Sequence, residues 1–221
     1  MTEQQPKHPS NIIPQPIIEK VFGRRGRLHA FPTINSSKTA LIVIDLDVET
    51  GRDKSNVQQV AGNVNILAET LRKKGGIVAW VTTPIQSATE NFRAVFGDAA
   101  ADNYERMGQN NGDATKLWPE LRPEGGDIHA TKQGHSAFFP GKTTLHEQLQ
   151  EKDIESLIVV GAVTNVCCEA SARDAAELQY KVTMISDALI GQSPELDRAT
   201  LTTFFRCYGD VRPTVDMLSI L

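Results

Sequence analysis

From Thr39 to the end of the chain, short apolar runs alternate with amphipathic stretches. TALIVID (39–45) is a continuous apolar run closed by an acid, the pattern of a strand buried on both faces. Residues 54–74 follow with Val57, Val60, Val64, Leu67, Ala68 and Leu71 at three- and four-residue steps and end in LRKKGG. That spacing predicts an amphipathic helix, with basic residues and glycine at its carboxyl end where the dipole and the stop signal favour them. IVAWVTT (77–83) predicts a second strand, and the polar stretch 84–126 reads as loop with short helical pieces. GDIHATK (126–132), SLIVVGA (156–162) and KVTMISDA (181–188) predict further strands. TTLHEQLQEK (143–152), residues 165–179 and SPELDRATLTTFFRCYG (193–209) predict helices, the last capped by Ser193 with Pro194 in its first turn. VDMLSIL (215–221) is expected to close the sheet. Strands and helices in this alternation imply an α/β fold of three layers, Rossmann-like, with a mostly parallel central sheet of about six strands and helices on both faces. Residues 1–38 hold Pro6, Pro9, Pro14, Pro16 and Pro32, show no sustained period, and read as an extended N-terminal arm ahead of one domain, 39–221.

Composition narrows the class. With 40% hydrophobic and 23% charged residues in 221, the chain reads as a globular protein with one sizeable core. A net charge of −4 gives no electrostatic bias toward nucleic acid or anionic membranes. No apolar run approaches the roughly 20 residues of a membrane span, and the amino terminus lacks a secretory layout, so the expected compartment is the cytoplasm. RRGR (24–27) is the one tight basic cluster and reads as a solvated face or subunit contact ahead of anion binding. The three cysteines, two of them adjacent, form neither a disulfide framework nor a zinc pattern and read as free thiols.

Ligands of parallel sheets bind beyond the carboxyl ends of the strands. Asp45 ends the first predicted strand, Lys132 the third, and Cys167 follows the strand at 156–162 where a helix is expected to begin. Each alone has a plainer reading, as a helix-capping acid, a solvated amine and a small core residue. Together they deliver an acid, an amine and a thiol to one edge. A helix amino terminus and a nearby ammonium are both expected to lower the thiol pKa and so favour a nucleophilic thiolate.

These residues carry a family resemblance. ALIVIDLDVE, KQGHSAFF and GAVTNVCCEASARDA, followed by YKVTMISDA, resemble in order the motifs of the isochorismatase-like cysteine hydrolase family, over roughly residues 38–221. The resemblance implies a catalytic set of Asp45, Lys132 and Cys167, with Cys168 packing inward. It also implies a cis peptide between Ala162 and Val163, and an oxyanion hole formed by the N–H groups of Val163 and Cys167. The implied reaction is hydrolysis of a C–N bond in a small amide, carbamoyl or ureido compound through a thioester, most similar to the ureidoacrylate and N-carbamoylsarcosine amidohydrolase branch. No cofactor is implied, and the assembly expected is a homodimer or homotetramer.

Two departures bear on substrate. Where many relatives read approximately M-Q-N-D-F, this chain reads L-D-V-E-T, with Asp47 and Glu49 and no Gln, and Asp47 reads as a pocket acid, a support for the lysine or an exposed loop acid. The stretch TTPIQSATENF has no histidine where nicotinamidases hold a metal, and His129 and His135 read as solvated or core residues, so no metal is expected. Trp80, Trp118, Phe138, Phe139 and Tyr104 are candidates for pocket walls, Trp80 and Phe138 foremost; Cys207 reads as a packing residue. An isochorismatase-type hydrolase of a non-amide small molecule and a catalytically silent binding module are the alternative functions.

Overall fold

The apolar runs become strands because both faces of each are covered. The computed structural model describes residues 7–47, 54–84, 87–110 and 116–221. Its elements are α1 (Gln15–Arg25), β1 (Thr39–Ile44), α2 (Lys54–Lys73), β2 (Ile77–Thr82), α3 (Glu90–Phe96), α4 (Asp98–Asn110), β3 (Ile128–Thr131) and α5 (Leu145–Gln150), followed by β4 (Ser156–Ala162), α6 (Glu169–Glu177), β5 (Lys181–Ile190), α7 (Pro194–Cys207), β6 (Asp210–Arg212) and α8 (Thr214–Ile220). All neighbouring strands run parallel, in the order β3-β2-β1-β4-β5-β6. The chain therefore winds outward from β1 to one edge, returns to the centre at β4, and winds outward to the other edge. The switch point lies between β1 and β4, where such folds open a crevice.

Alternate residues of each strand feed two separate cores. Leu41, Val43, Val78, Trp80, Ile158 and Val160 face α2 and α8, and meet Val64, Leu67, Leu71 and Met217. Ile42, Ile44, Ala79, Val81, Val159 and Met184 face α1, α5, α6 and α7, and meet Val21, Leu149, Ala172 and Phe204. Each fully buried leucine or valine contributes about 1.5–3 kcal/mol, so the two layers fix the sheet from both sides. Among the described residues, no helix is long and apolar enough to cross a membrane.

Three expectations change. Residues 15–25 form a helix within the expected extended arm: Pro14 and Pro16 stand at its cap and first turn, where proline costs nothing, and Gly26 ends it at φ 68 with its N–H on Phe22 O at 2.7 Å. Ile18 and Val21 pack this helix into the α7-side core. Residues 84–126, read as mostly loop with short helical pieces, hold α3 of 7 residues and α4 of 13, more helix than expected. Finally, the sheet is closed by β6 and not by VDMLSIL, which forms α8. Pro213 caps α8, and the Asp187 carboxylate accepts from the Thr214 N–H and hydroxyl, both at 2.7 Å, so the apolar residues wind into a helix over Met217.

Candidate active site

Three strand ends build the site. At the end of β1, Asp45 takes a left-handed backbone conformation, φ 49, while its N–H still pairs with Val81 O at 2.9 Å. An aspartate tolerates this better than a branched residue, and the turn carries its carboxylate over the carboxyl edge of the sheet. At the end of β3 the Lys132 N–H pairs with Thr82 O at 3.0 Å, extending the ladder by one residue. β4 runs against β1 so closely that a Cβ on Gly161, at φ 116, would stand 2.1 Å from Ile44 O. Only glycine fits there. The next bond but one, Ala162–Val163, is cis. The chain then makes a π-helical turn over Thr164–Cys168 before α6, and the N–H groups of Val166 and Cys168 both donate to Val163 O at 3.1 Å. Cys167 sits on that wide turn, the kind of local distortion that concentrates at functional sites.

The side chains meet around one ammonium. Lys132 is 1% exposed; its Nζ lies 2.9 Å from Asp45 Oδ2, donates to Thr83 Oγ1 at 2.7 Å and to Gly134 O at 2.9 Å, and stands 3.5 Å from Cys167 Sγ. An ammonium has no acceptor, so the Thr83 hydroxyl accepts from Lys132 and gives its own proton to Asp45 Oδ1, at 2.9 Å. The result is a closed ring of acid, amine and hydroxyl with the thiol beside it. His135 Nδ1 lies 4.0 Å from Cys167 Sγ on the exposed side. Thr83, the Gly134 carbonyl and His135 as a neighbour of the sulfur are the parts that the sequence reading did not assign; the polar pair TT closing the apolar run IVAWVTT was the available signal for Thr83.

The thiol does not behave as expected from its place in the chain. Burial, and then the Asp45 carboxylate, push the Cys167 thiol up to about 11, against the opposing pull of Lys132. Cys167 stands on a π turn and not in the first turn of the nine-residue helix α6, and the ammonium is already committed to Asp45. The resting form is therefore a neutral thiol next to an ion pair.

The remaining candidates disperse. Cys168 is fully buried in the α7-side core, while Cys207 is exposed and not a packing residue. Trp80 does not line a pocket: it is 1% exposed on the α2 face, and its indole N–H donates to Asp127 Oδ2 at 2.7 Å at the opposite end of the sheet. Phe138 is likewise core, 2% exposed with its ring 5.9 Å from that of Tyr180. The Trp80 ring follows the pleat of β2 into one layer, and Phe138, in a turn after β3, packs into the other, which periodicity alone leaves open. Trp118 packs against the α2-side core, Phe139 is exposed and Tyr104 stacks on Phe92. Asp47 is buried, not an exposed loop acid, and its backbone bridges to Leu117; Glu49 lies outside the described residues, as do Ile85 and Gln86 of the histidine-free stretch. His129 and His135 are both exposed. Glu169, two residues after Cys167, pairs with Arg173 and accepts from Thr200 Oγ1 at 2.7 Å, fixing the start of α6 to α7.

Comparison with known proteins agrees with this architecture. The Isochorismatase domain profile matches residues 39–216. An uncharacterised isochorismatase family protein, YwoC, of Bacillus subtilis (strain 168) is 31% identical over 186 residues, 84% of this chain and 95% of that protein. A cysteine hydrolase from Pseudomonas syringae pv. phaseolicola 1448A superposes with a TM-score of 0.77 at 24% identity, covering 88% of this chain and 96% of that one. The N-carbamoylsarcosine amidase of Thermoplasma acidophilum does so with a TM-score of 0.64 at 23% identity, covering 80% and 96%. At these identities the two structures speak for the fold, and the profile and the curated relative for descent: the chain belongs to the isochorismatase family.

Proposed function

We propose that this protein is a cysteine-dependent hydrolase that cleaves a C–N bond of a small amide, carbamoyl or ureido compound through a thioester. The observation that carries the reading is the meeting of Asp45, Lys132 and Cys167 around one ammonium, with Cys167 Sγ 3.5 Å from Lys132 Nζ. Because the thiol holds its proton at neutral pH, the nucleophile is made during attack: Sγ bonds to the carbonyl carbon as Asp45 takes the thiol proton. Lys132 keeps Asp45 oriented and balances charge on the sulfur. The oxyanion is received by the N–H groups of Val163 and Cys167, beside the cis bond, a contribution often worth about 3–4 kcal/mol per donor. Collapse breaks the C–N bond, and Asp45 returns the proton to the leaving nitrogen. Water then attacks the thioester with Asp45 as base, the C–S bond breaks, and the thiol is restored. The chemistry uses no metal or other cofactor, and the same reading carries a small-molecule substrate, a cytoplasmic setting and a homodimer or homotetramer.

The test is ammonia release across a panel of carboxamides, carbamoyl and ureido compounds, with Cys167→Ala alongside. A substrate turned over by the wild type and not by the folded variant is the expected result. Undiminished turnover by Cys167→Ala on any member overturns the nucleophile, and no ammonia from any member with the wild type turns the reading to a non-amide hydrolase.

A further inference from the structure

The run RRGR takes no part in the site at the carboxyl edge. α1 ends against the carboxyl end of α7, where Arg24 Nη2 donates to Arg206 O and Arg25 Nη2 to Phe205 O, each at 2.6 Å. The Arg25 guanidinium also lies 5.1 Å from the centre of the Phe205 ring. Two guanidinium groups are thus held in place by the last carbonyls of α7, where a helix dipole favours cations. Each has five N–H donors and uses only one or two on the backbone. The third, Arg206, is exposed, and among the described residues its guanidinium has no hydrogen bond or ion pair. With Phe31, Cys207 and Tyr208, these arginines line a cleft of about 460 Å³. Gly209, also in its wall, leads into the amino end of β6, so the cleft lies at the sheet edge opposite Asp45 and Lys132.

Among the described residues, no acid lines this cleft. The nearby carboxylate, Asp210, is fully buried and already engaged by His29 Nδ1 at 3.0 Å, by the Phe31 N–H and by Arg212, both at 3.4 Å. Burial lowers the pKa of Arg25; Asp210 pulls the other way, and the Arg24 and Arg27 charges reinforce the lowering. Three guanidinium charges are therefore gathered, that of Arg25 partly desolvated, with no carboxylate among the lining residues, in a concavity of the size that holds small molecules.

We propose that this cleft binds a small molecule bearing a multiply charged phosphate-type oxyanion. Planar guanidinium groups match such oxygens two at a time, and two of the three are fixed before the ligand arrives, which removes most of their ordering cost. Phe31 and Tyr208 offer flat walls for the uncharged part of the ligand. The proposal stands apart from the hydrolase reading, because no residue is shared between the two sites.

Pyrophosphate titrated calorimetrically into the full chain, with potassium chloride holding ionic strength constant, tests it. The expected result is saturable binding of one pyrophosphate per chain, weakened about tenfold or more in Arg206→Gln, partly restored in Arg206→Lys, and unchanged in Cys167→Ala. Arg206 makes no side-chain bond that the fold needs, and the melting temperature of Arg206→Gln without ligand checks this. Absence of saturable binding, equal affinity in Arg206→Gln, or loss of binding in Cys167→Ala overturns the proposal.

Discussion

Lys132 is the residue on which the site turns, because an ammonium that is 1% exposed must give all its protons to acceptors or lose its charge. Asp45, Thr83 and Gly134 supply those acceptors, and Thr83 passes its own proton on to Asp45 Oδ1. Thr83 is thereby a positioning residue: without its hydroxyl Asp45 Oδ1 loses the bond that holds it at 2.9 Å. Thr83→Val is expected to lower kcat by roughly 10- to 100-fold, the equivalent of one hydrogen bond to a charged group, and Thr83→Ser to restore most of it. Equal activity in Thr83→Val and the wild type would remove the role. The same environment fixes the pH behaviour of the sulfur. With the Cys167 thiol at about 11, alkylation by iodoacetamide is expected to be slow at pH 7 and to rise steadily to pH 10. In Asp45→Asn the carboxylate that raises the thiol is gone, and the rise should move to lower pH; a profile that does not move, or that moves upward, contradicts the assignment.

At the scale of elements, the decisive piece is β4 with the turn that follows it. Its apolar run Ser156–Ala162 would make an ordinary central strand, yet Gly161 lies close against β1, and the pairing with β5 shifts register between Val159 and Gly161. The π turn and α6 begin from that distorted end, so the place of Cys167 relative to Asp45 depends on a glycine that touches no reacting atom. Gly161→Ala introduces a Cβ 2.1 Å from Ile44 O at a φ of 116, and both the clash and the backbone strain destabilise. A loss of at least about 3 kcal/mol in urea denaturation is expected, with activity lost alongside. At the far edge, β6 is short and buries Asp210 and Arg212 where an apolar strand is the ordinary choice. It carries charge because His29 and the Phe31 backbone, from residues before β1, cover it and complete its hydrogen bonds.

Across the whole molecule, that early segment is tied to the last strand by groups that titrate. His8 is 3% exposed, its ring 5.0 Å from that of Phe205 and 5.7 Å from that of His29. Burial, and then the charge of His29, lower the His8 pKa from 6.5 to about 4, with Asp210 opposing. The unfolded chain binds this proton at 6.5 and the folded one only near 4, so the folded state is at full strength above pH 6.5. Stability then falls as the pH drops toward 4, by roughly 3 kcal/mol in total, as linkage requires. Urea midpoints measured from pH 7.5 to 4.5 should fall more steeply for the wild type than for His8→Phe. Parallel curves would show that the buried His8 does not carry this pH dependence.

Much of the fold was legible in the chain, for a physical reason that the individual elements make plain. β1, β2, β4 and β5 are buried on both faces, which forces continuous apolar runs, and α2 is half-buried, which forces a period of three to four. Sequence by itself therefore determined the α/β order, and with it the delivery of Asp45, Lys132 and Cys167 to one edge. Elements whose neighbours are distant in sequence escaped it. Helix α1 looks like a proline-rich arm until α7 takes its apolar face; β6 is too charged to read as a strand without its cover; VDMLSIL becomes α8 because Asp187 caps it. The protonation of the site belongs to the same class. A thiol before a helix and near a lysine reads as a lowered pKa, whereas the raised value of Cys167 comes from burial and from which group the lysine pairs with. Local pattern records how much of each side chain is hidden; only the tertiary structure decides from what it is hidden, and which charge lies next to it.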